Sequence, residues 1–217
     1  MAKRTALAPE QLRALDRLTS IQGIERFYLA GGSGIAVHLR HRRSRDLDLF
    51  TRLPGEDLDR FRAAAVKTAG ISLIAGTDVA VKLLVADVEV DAVRYPYPPL
   101  GALVAGPRGI LVASLADLAA MKLAAVSRRG VRRDFWDLHA IIGSGMSLPK
   151  VCRAFVTRFG KAESDLYHVL RALTYFDDAE ADRALPEGLT EKKWAAIKTF
   201  FEREAPKALV VLGRRRR

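Results

Sequence analysis

Residues 27–51 read FYLAGGSGIAVHLRHRRSRDLDLFT, and the fold predicted for this chain follows from them. The apolar run at 27–30 predicts a short strand, and the glycines and serine of 31–34 are expected to interrupt regular structure. The composition of 35–40 favours a short helix. Polar and apolar residues alternate over 46–50, which is typical of a strand with one buried face. The stretch therefore predicts a strand, a glycine-rich turn, a helix and a second strand.

The alternation over 46–50 places two carboxylates side by side. Side chains on a strand repeat every two residues, so Asp46 and Asp48 share one face while Leu47 and Leu49 share the other. Like charges this close repel each other, and a bound cation would remove the repulsion. A glycine-serine turn that leads into a helix offers backbone N–H groups and a positive dipole end to a phosphate. The two features together predict a metal–nucleotide site.

A predicted hairpin supplies a third carboxylate. Residues 79–85 and 88–95 have the pattern of two strands joined by Ala86 and Asp87, and Asp91 lies in the middle of the apolar second strand. An unpaired carboxylate is costly to bury. We therefore expect Asp91 either to face solvent on an edge strand or to join the acidic cluster around a cation.

Length and composition are those of a soluble globular protein, with 217 residues, of which 49% are hydrophobic and 28% charged. No apolar run is long enough to cross a bilayer, and the opening residues lack the apolar core of a signal peptide, so we expect a cytoplasmic location. The single cysteine, Cys152, lies in an apolar helical pattern and is expected to be a core residue rather than a nucleophile.

The formal net charge of +11 favours a polyanionic partner, with nucleic acid ahead of a membrane surface. A soluble protein with an arginine-rich surface has the same composition, so both interpretations stay open. The four arginines of 214–217 are expected to form a basic tail that adds electrostatic affinity without specificity. The candidates for contact with an RNA backbone are Arg43, Arg45, Arg129, Arg132 and Arg133.

Two motifs resemble those of a known family. Gly32 and Ser33, followed after twelve residues by Asp46 and Asp48, resemble the opening motif of the polymerase-β-like nucleotidyltransferases. The fuller string GGSGIAVHLRHRRSRDLDLF looks like the AbiEii/AbiGii toxin branch of that superfamily. The later string ASLADLAAMKLAAVSRRGVRRDFWDLHAI is similar to the helical motif of the same branch, so the resemblance covers roughly residues 25–145.

The resemblance implies an α/β (α+β) fold, with a polymerase-β-like core built on a mixed sheet and an α-helical C-terminal part. The corresponding domains are a nucleotidyltransferase core at 1–113, a helical part packed on the core at 114–213, and the basic tail at 214–217.

The resemblance also implies a metal-dependent nucleotidyl transfer, which is an in-line displacement at the α-phosphorus of an NTP. Asp46 and Asp48 would bridge two Mg²⁺ ions, with Mn²⁺ as an alternative. Asp91 would hold the metal nearest the attacking hydroxyl and help to remove its proton.

Further residues are assigned to the nucleotide by the same resemblance. Gly32 and Ser33 would hold the outer phosphates, and Lys122 would neutralise the triphosphate, unless it is simply an exposed lysine on a helix. Arg42 is a candidate for contact with the nucleotide. Asp134 would orient Lys122 or contact the base or ribose of the nucleotide. Alternatively, Asp134 only forms an ion pair with Arg132 or Arg133.

The family implies a toxin of a toxin–antitoxin or phage-defence system, with the 3′ end of tRNA as acceptor and an antitoxin encoded by a neighbouring gene. One alternative is an enzyme of the same fold that modifies a hydroxyl of a protein or small molecule. A second alternative, of another class, is a non-catalytic RNA-binding module. The presence of Asp46, Asp48 and Asp91 together argues against the latter, because a degenerate site tends to lose its metal ligands.

Overall fold

The computed structural model describes residues 7–181 and 184–213, and the predicted basic tail at 214–217 lies outside the described residues. Within those two ranges no helix is both long enough and apolar enough to cross a membrane.

The chain divides into two compact units, Met1–Ser114 and Leu115–Arg217. The domain functions predicted from the sequence for 1–113 and 114–213, and the packing of the helical part on the core, stay predictions. The first unit contains a β-sheet with helices, and the second is helical where the structure describes it.

The first unit is built on one mixed sheet of seven strands. Its strands are β1 Tyr28–Leu29, β2 Leu47–Thr51, β3 Ile71–Gly76, β4 Ala80–Val85, β5 Val88–Arg94, β6 Val104–Ala105 and β7 Leu111–Val112. They lie in the order β3-β4-β5-β2-β1-β7-β6. The β2–β5 and β1–β7 pairs are parallel and the other pairs are antiparallel. The predicted mixed α/β fold is therefore confirmed.

The hairpin of β4 and β5 forms as predicted. Ala86 and Asp87 make its two-residue turn, and both have positive φ angles, of 48° and 67°. Turns of this kind match the right-handed twist of the flanking strands. The alternation in β5 is also as predicted, because Val88, Val90 and Ala92 are buried while the residues between them keep partial exposure.

Three helices flank this sheet: α1 Pro9–Leu18, α2 Gly31–Leu39 and α3 Gly55–Val66. Leucine and phenylalanine side chains of α1 and α3 form one hydrophobic core with the buried face of β2, β4 and β5. Each such side chain contributes about 1.5–3 kcal/mol when fully buried. One face of these central strands is therefore closed by packing, and Asp48 and Asp91 belong to the other face.

The prediction that 31–34 interrupt regular structure is wrong, because α2 already begins at Gly31. Gly31 itself has a φ of +51°, which makes the sharp change of direction out of β1. Gly32, Ser33 and Gly34 are buried within the first turn of α2. Small side chains allow this turn to approach the sheet closely, and that packing outweighs their low helix propensity.

The second unit contains the helices α4 Leu115–Arg129, α5 Arg132–Gly143, α6 Leu148–Phe159, α7 Leu166–Ala172, α8 Asp177–Ala181 and α9 Glu191–Gly213. The ring of Phe135 lies 5.3–5.7 Å from the rings of Phe176, Trp194 and Phe201, and these aromatic side chains form the centre of the unit. The last helix continues past Pro206, and Ala208 and Leu212 beyond the proline are buried.

Cys152 is fully buried in α6, which confirms its prediction as a core residue. Burial raises the pKa of its thiol to about 12, so almost no thiolate is present at neutral pH. We expect a thiol reagent at pH 8 to label the folded protein at least about a hundred-fold more slowly than the unfolded protein. The chain has one cysteine, so the labelling signal belongs to Cys152 alone. Rapid labelling of the folded protein would contradict this expectation.

Candidate active site

The register of two parallel strands brings two of the predicted carboxylates together. Asp48 on β2 is the direct partner of Asp91 on β5, just as Leu47 is the partner of Val90. Paired residues point to the same face of a sheet, so Asp48 and Asp91 share the face that is not packed against α1 and α3. Asp46 precedes β2 by one residue and is also partly exposed. Asp48 and Asp91 therefore lie together on one accessible face, and Asp46 lies just before β2, near enough for its charge to raise the pKa of Asp91.

The charges around Asp91 show that these carboxylates affect one another. Burial raises the pKa of Asp91, the ammonium of Lys82 opposes this rise, and the negative charges of Asp46 and Glu89 add to it. The Lys82 Nζ lies 3.7 Å from Asp91 Oδ1 and 2.7 Å from Glu89 Oε2. The hydrogen bond to Glu89 and the charge of Asp91 raise the pKa of Lys82. The ammonium of Lys82 is therefore attracted to the face that carries Asp91 and Glu89.

Lys82 was not predicted as part of the site. A signal for it exists in the sequence, because the two-residue turn at Ala86 and Asp87 determines which residues of the hairpin face each other. Counting outward from that turn pairs Lys82 with Asp91 and Leu84 with Glu89, as the structure shows.

Gly32 and Ser33, in the first turn of α2, hold Asp48 through two hydrogen bonds. The Gly32 N–H donates to Asp48 Oδ2 at 3.2 Å, and the Asp48 N–H donates to Ser33 Oγ at 3.2 Å. The Ser33 hydroxyl in turn donates to the Ala30 carbonyl at 3.2 Å, and its side chain is fully buried. In this structure the donors predicted to hold phosphate therefore position a carboxylate. Ser33 acts as a positioning residue that locks the turn to β2.

Gly31 is required by this geometry, and Gly31→Ala is expected to displace Asp48. A Cβ at Gly31 would overlap the Asp48 carboxylate, and the φ of +51° adds strain for any residue with a Cβ. The matched control is Gly23→Ala, where φ is +94° and a Cβ would meet no atom within 4 Å. We expect chemical denaturation to show a loss of about 1–2 kcal/mol for the control and a larger loss for Gly31→Ala. Equal losses would show that the overlap has no effect.

The arginine-rich segment at 40–45, which precedes β2, also contacts Gly32 in the first turn of α2. A Cβ at Gly32 would lie 2.7 Å from Arg42 Nη2 and 3.3 Å from Ser44 Oγ, so both side chains lie directly against that glycine. Arg42 Nη1 also donates to the Arg43 carbonyl at 2.9 Å. The structure therefore places the guanidinium of Arg42, a predicted nucleotide ligand, beside the turn that also holds Asp48.

The backbone at Asp46 is held by two side chains. Gln11 Nε2 donates to the Asp46 carbonyl at 3.1 Å, and Ser44 Oγ donates to the same oxygen at 3.3 Å. Gln11 is buried at 2% exposure although it is polar, and this hydrogen bond connects α1 to the start of β2. Neither residue was predicted as part of the site.

The acidic face fits Mg²⁺ by the chemistry of its donors. Carboxylate oxygens are the ligands that Mg²⁺ prefers, and the repulsion between Asp46 and Asp91 is the kind that a cation relieves. Among the described residues no three acidic, histidine or cysteine side chains converge closely enough to hold a metal by themselves. Mg²⁺ is usually bound by one or two carboxylates together with substrate phosphates, and the paired Asp48 and Asp91 supply carboxylates of that number.

The second unit contains a buried ionic cluster around Lys122. The Lys122 Nζ lies 2.7 Å from Asp134 Oδ1 and 2.9 Å from Asp137 Oδ2, and both carboxylates are fully buried. Arg129 donates to both oxygens of Asp134, at 2.7 and 3.0 Å. Lys122 is only 6% exposed, so the interpretation of it as an exposed helix lysine is wrong.

Opposing effects determine the charges of this cluster. Burial acts to lower the pKa of Lys122, but the carboxylates of Asp137 and Asp134 outweigh it, and the pKa is raised. Burial acts to raise the pKa of Asp134, but Lys122 and Arg129 outweigh it, and the pKa is lowered. Lys122 and Asp134 therefore stay charged at neutral pH.

Sequence reasoning missed Asp137. Its signal is the spacing Asp-x-x-Asp on α5, because residues three apart lie on the same face of a helix. The structure also answers the question left open for Asp134, which pairs with Lys122 and Arg129 rather than only with a neighbouring arginine at 132 or 133.

The five predicted RNA-contacting arginines have different surroundings. Arg129 is engaged by Asp134 although its side chain is 64% exposed. Arg132 is buried, donates to the Ala184 carbonyl at 3.4 Å and lies over the ring of Trp194. Its guanidinium therefore makes contacts inside the helical unit. The exposed members are Arg43, Arg45, Arg129 and Arg133.

The comparison with known families agrees with these observations. The sequence profile described as "Nucleotidyl transferase AbiEii toxin, Type IV TA system" matches residues 13–211. The chain belongs to this AbiEii family. It is also 27% identical over 211 residues to the uncharacterized protein aq_aa25 of Aquifex aeolicus (strain VF5), a match that covers 94% of this chain and 98% of the relative.

Two solved structures have a similar fold. The nucleotidyltransferase toxin MenT4 from Mycobacterium tuberculosis H37Rv superposes with a TM-score of 0.55 and 19% identity, covering 94% of this chain and 90% of that chain. The structure of ANT(2″)-Ia in complex with adenylyl-2″-tobramycin superposes with a TM-score of 0.53 and 15% identity, covering 69% and 97%. The predicted family, fold and enzyme class, nucleotidyltransferase, are confirmed.

Proposed function

We propose that this AbiEii-family protein transfers a nucleoside monophosphate from an NTP to an RNA hydroxyl, with the 3′ end of tRNA as acceptor. The observation that carries the proposal is the register of β2 and β5, which places Asp48 opposite Asp91 beside the glycine turn. Opposed carboxylates next to backbone N–H groups suit a substrate that is itself a complex of a cation and phosphates.

In the proposed reaction the oxygen of the acceptor hydroxyl forms a bond to the α-phosphorus, and the bond from that phosphorus to the bridging oxygen breaks, so pyrophosphate leaves. Asp46, Asp48 and Asp91 would hold Mg²⁺, which when bound lowers the pKa of the attacking hydroxyl and neutralises charge on the phosphates. Asp91 would receive the hydroxyl proton. Arg42, whose guanidinium lies against Gly32, would face the outer phosphates, while Gly32 and Ser33 would keep Asp48 in position.

Lys122 and Asp134 keep their predicted catalytic roles as part of the proposal. The ammonium of Lys122 is held between Asp134 and Asp137, at 2.7 and 2.9 Å, and stays charged in its buried position. Such a lysine would offer a positive charge of defined orientation to a triphosphate, while Asp134 would orient it.

RNA is favoured as acceptor by charge. The formal net charge of +11 attracts polyanions, and Arg43, Arg45 and Arg133 expose guanidinium groups that suit phosphate oxygens. As a member of a family of type IV TA toxins, the protein would act as a toxin in such a system or in phage defence, with an antitoxin encoded by a neighbouring gene.

The test is incubation of the purified protein with total RNA, Mg²⁺ and each labelled NTP in turn. We expect label in the tRNA band with one or two of the NTPs, and none after substitution of Asp46 or Asp48 by alanine. Label on a protein or a small molecule instead of RNA would favour the alternative acceptor. Salt-dependent RNA binding without any transfer would overturn the catalytic proposal.

A further inference from the structure

A row of aromatic side chains extends from the carboxylates along the sheet. The rings of Tyr28 and Phe50 are stacked with centroids 6.2 Å apart. Phe50 meets Tyr95 edge-on at 5.1 Å, and Tyr95 meets Tyr97 edge-on at 5.0 Å. The four rings form one continuous aromatic row across β1, β2 and the chain that follows β5.

Strand register places this row on the face of the carboxylates. Phe50 lies two residues beyond Asp48 on β2, so it points to the same face about 7 Å further along the strand. The Tyr95 N–H donates to the Thr51 carbonyl at 2.6 Å, so the pairing of β2 and β5 continues to Tyr95. Asp91 and Tyr95 are four residues apart and therefore also share that face.

Exposure distinguishes three rings of this row from core packing, whereas the fourth, Tyr28, is buried at 5% exposure. Phe27 and Phe61, whose rings pack against each other at a tilt within the hydrophobic core, are each only 2% exposed. Phe50, Tyr95 and Tyr97 keep intermediate exposure. The end of the row at Tyr95 and Tyr97 therefore presents aromatic surface that the protein does not bury completely.

The sequence around the two tyrosines restrains their backbone. They lie in the segment Tyr95-Pro96-Tyr97-Pro98, so each tyrosine directly precedes a proline. A residue before proline is restricted to extended conformations. Little backbone freedom would be lost when a ligand orders this segment, which favours binding by preorganised rings.

We propose that Tyr95 and Tyr97 form a stacking platform for a nucleobase at the active site. Aromatic side chains bind bases of every kind through their π faces, and this suits a face whose carboxylates would hold Mg²⁺ and, through it, the phosphates of a nucleotide. The inference rests on the proposed nucleotidyl transfer. The base would belong either to the incoming NTP or to the last nucleotide of the acceptor RNA, and both share the same planar chemistry.

Equilibrium binding tests this platform without requiring turnover. One arm measures the affinity for NTP analogues with a methylene bridge between the α- and β-phosphorus, which cannot react, in the presence of Mg²⁺. The other arm measures quenching of a 2-aminopurine at the 3′ end of a short single-stranded RNA. The variants are Tyr97→Ala, Tyr95→Ala and the ring-preserving Tyr97→Phe, and the control is Tyr175→Ala, a tyrosine 52% exposed in the other unit.

We expect Tyr97→Ala to weaken one of the two ligands about tenfold, while Tyr97→Phe and Tyr175→Ala stay within about twofold of the wild type. A loss confined to the NTP analogue would assign the platform to the incoming base, and a loss confined to RNA would assign it to the acceptor end. Unchanged affinity for both ligands in Tyr97→Ala and Tyr95→Ala would overturn the platform.

Two checks keep this outcome separate from the proposed function and from misfolding. Thermal unfolding of each variant identifies any that does not fold, and Tyr97→Leu then replaces Tyr97→Ala because leucine keeps apolar volume without a π face. If the wild type adds no label to RNA but Tyr97→Ala still weakens binding of the NTP analogue, the platform stands and the RNA acceptor does not. Wild-type protein that binds neither ligand would overturn the platform as well.

Discussion

Asp48→Asn is expected to reduce nucleotidyl transfer at least about a thousand-fold while the protein stays folded. Asp48 lies directly opposite Asp91 in the register of β2 and β5, and its carboxylate accepts a hydrogen bond from the Gly32 N–H. An amide keeps an oxygen that accepts this hydrogen bond but lacks the negative charge that would hold Mg²⁺. A thousand-fold loss corresponds to about 4 kcal/mol of transition-state stabilisation, which is within the range of metal-ion catalysis.

The matched control for this prediction is Asp87→Asn. Asp87 is an exposed aspartate in the β4–β5 turn, with a φ of 67°, a conformation that asparagine adopts readily. We expect the control to retain full transfer activity, measured as initial rates of label incorporation at saturating NTP. Circular dichroism spectra of both variants should match the wild type. Asp48→Asn with more than about a tenth of the wild-type rate would contradict the assignment of Asp48 as a metal ligand.

Lys122→Met is expected to lower the free energy of unfolding by roughly 3–5 kcal/mol. Lys122 lies between Asp134 and Asp137, and removal of its ammonium leaves two fully buried carboxylates with only part of their neutralisation. An uncompensated buried charge is far more costly than the loss of an exposed ion pair. The measurement is urea denaturation followed by circular dichroism.

Two further variants test the origin of this loss. Lys122→Met combined with Asp137→Asn should recover part of the stability, because one of the two orphaned charges is removed. Lys150→Met, at an exposed lysine of α6 in the same unit, should change stability by no more than about 0.5 kcal/mol. If Lys122→Met behaved like Lys150→Met, the buried cluster would not be a source of stability.

The same cluster predicts a pH dependence of stability. The pKa of Asp134 is held below its ordinary value of 3.8, so its contribution is present above that value and is lost as the pH falls through the lower pKa of the folded state. The pKa of Lys122 is raised above 10.5, so its contribution is present below 10.5 and is lost as the pH rises through the higher folded pKa. Denaturation across a pH series should show the alkaline loss in the wild type and a smaller one in Lys122→Met.

Much of the candidate site follows from local sequence rules. Strict alternation predicts that Asp46 and Asp48 share a face, and the two-residue turn at Ala86 and Asp87 defines which residues of β4 face those of β5. The spaced motifs, which cover roughly residues 25–145, identify the family, and the profile match over residues 13–211 confirms it. These features depend only on the periodicity of a segment and on the length of a short loop, and both can be read directly from the sequence.

Tertiary packing determined what local rules could not. The pairing of β2 with β5 is a parallel contact between strands distant in the chain, and it alone sets Asp48 opposite Asp91. The start of α2 at Gly31 contradicts glycine's low helix propensity because small side chains let the helix approach the sheet. Helical spacing places Asp134 and Asp137 on one face of α5, but only the packing of α4 and α5 brings Lys122 between them in a buried ion cluster. Periodicity is a property of one segment, whereas register and burial are properties of segments that pack together. The sequence by itself therefore determined the family and most of the helices and strands. Only the tertiary structure decided which charged side chains meet.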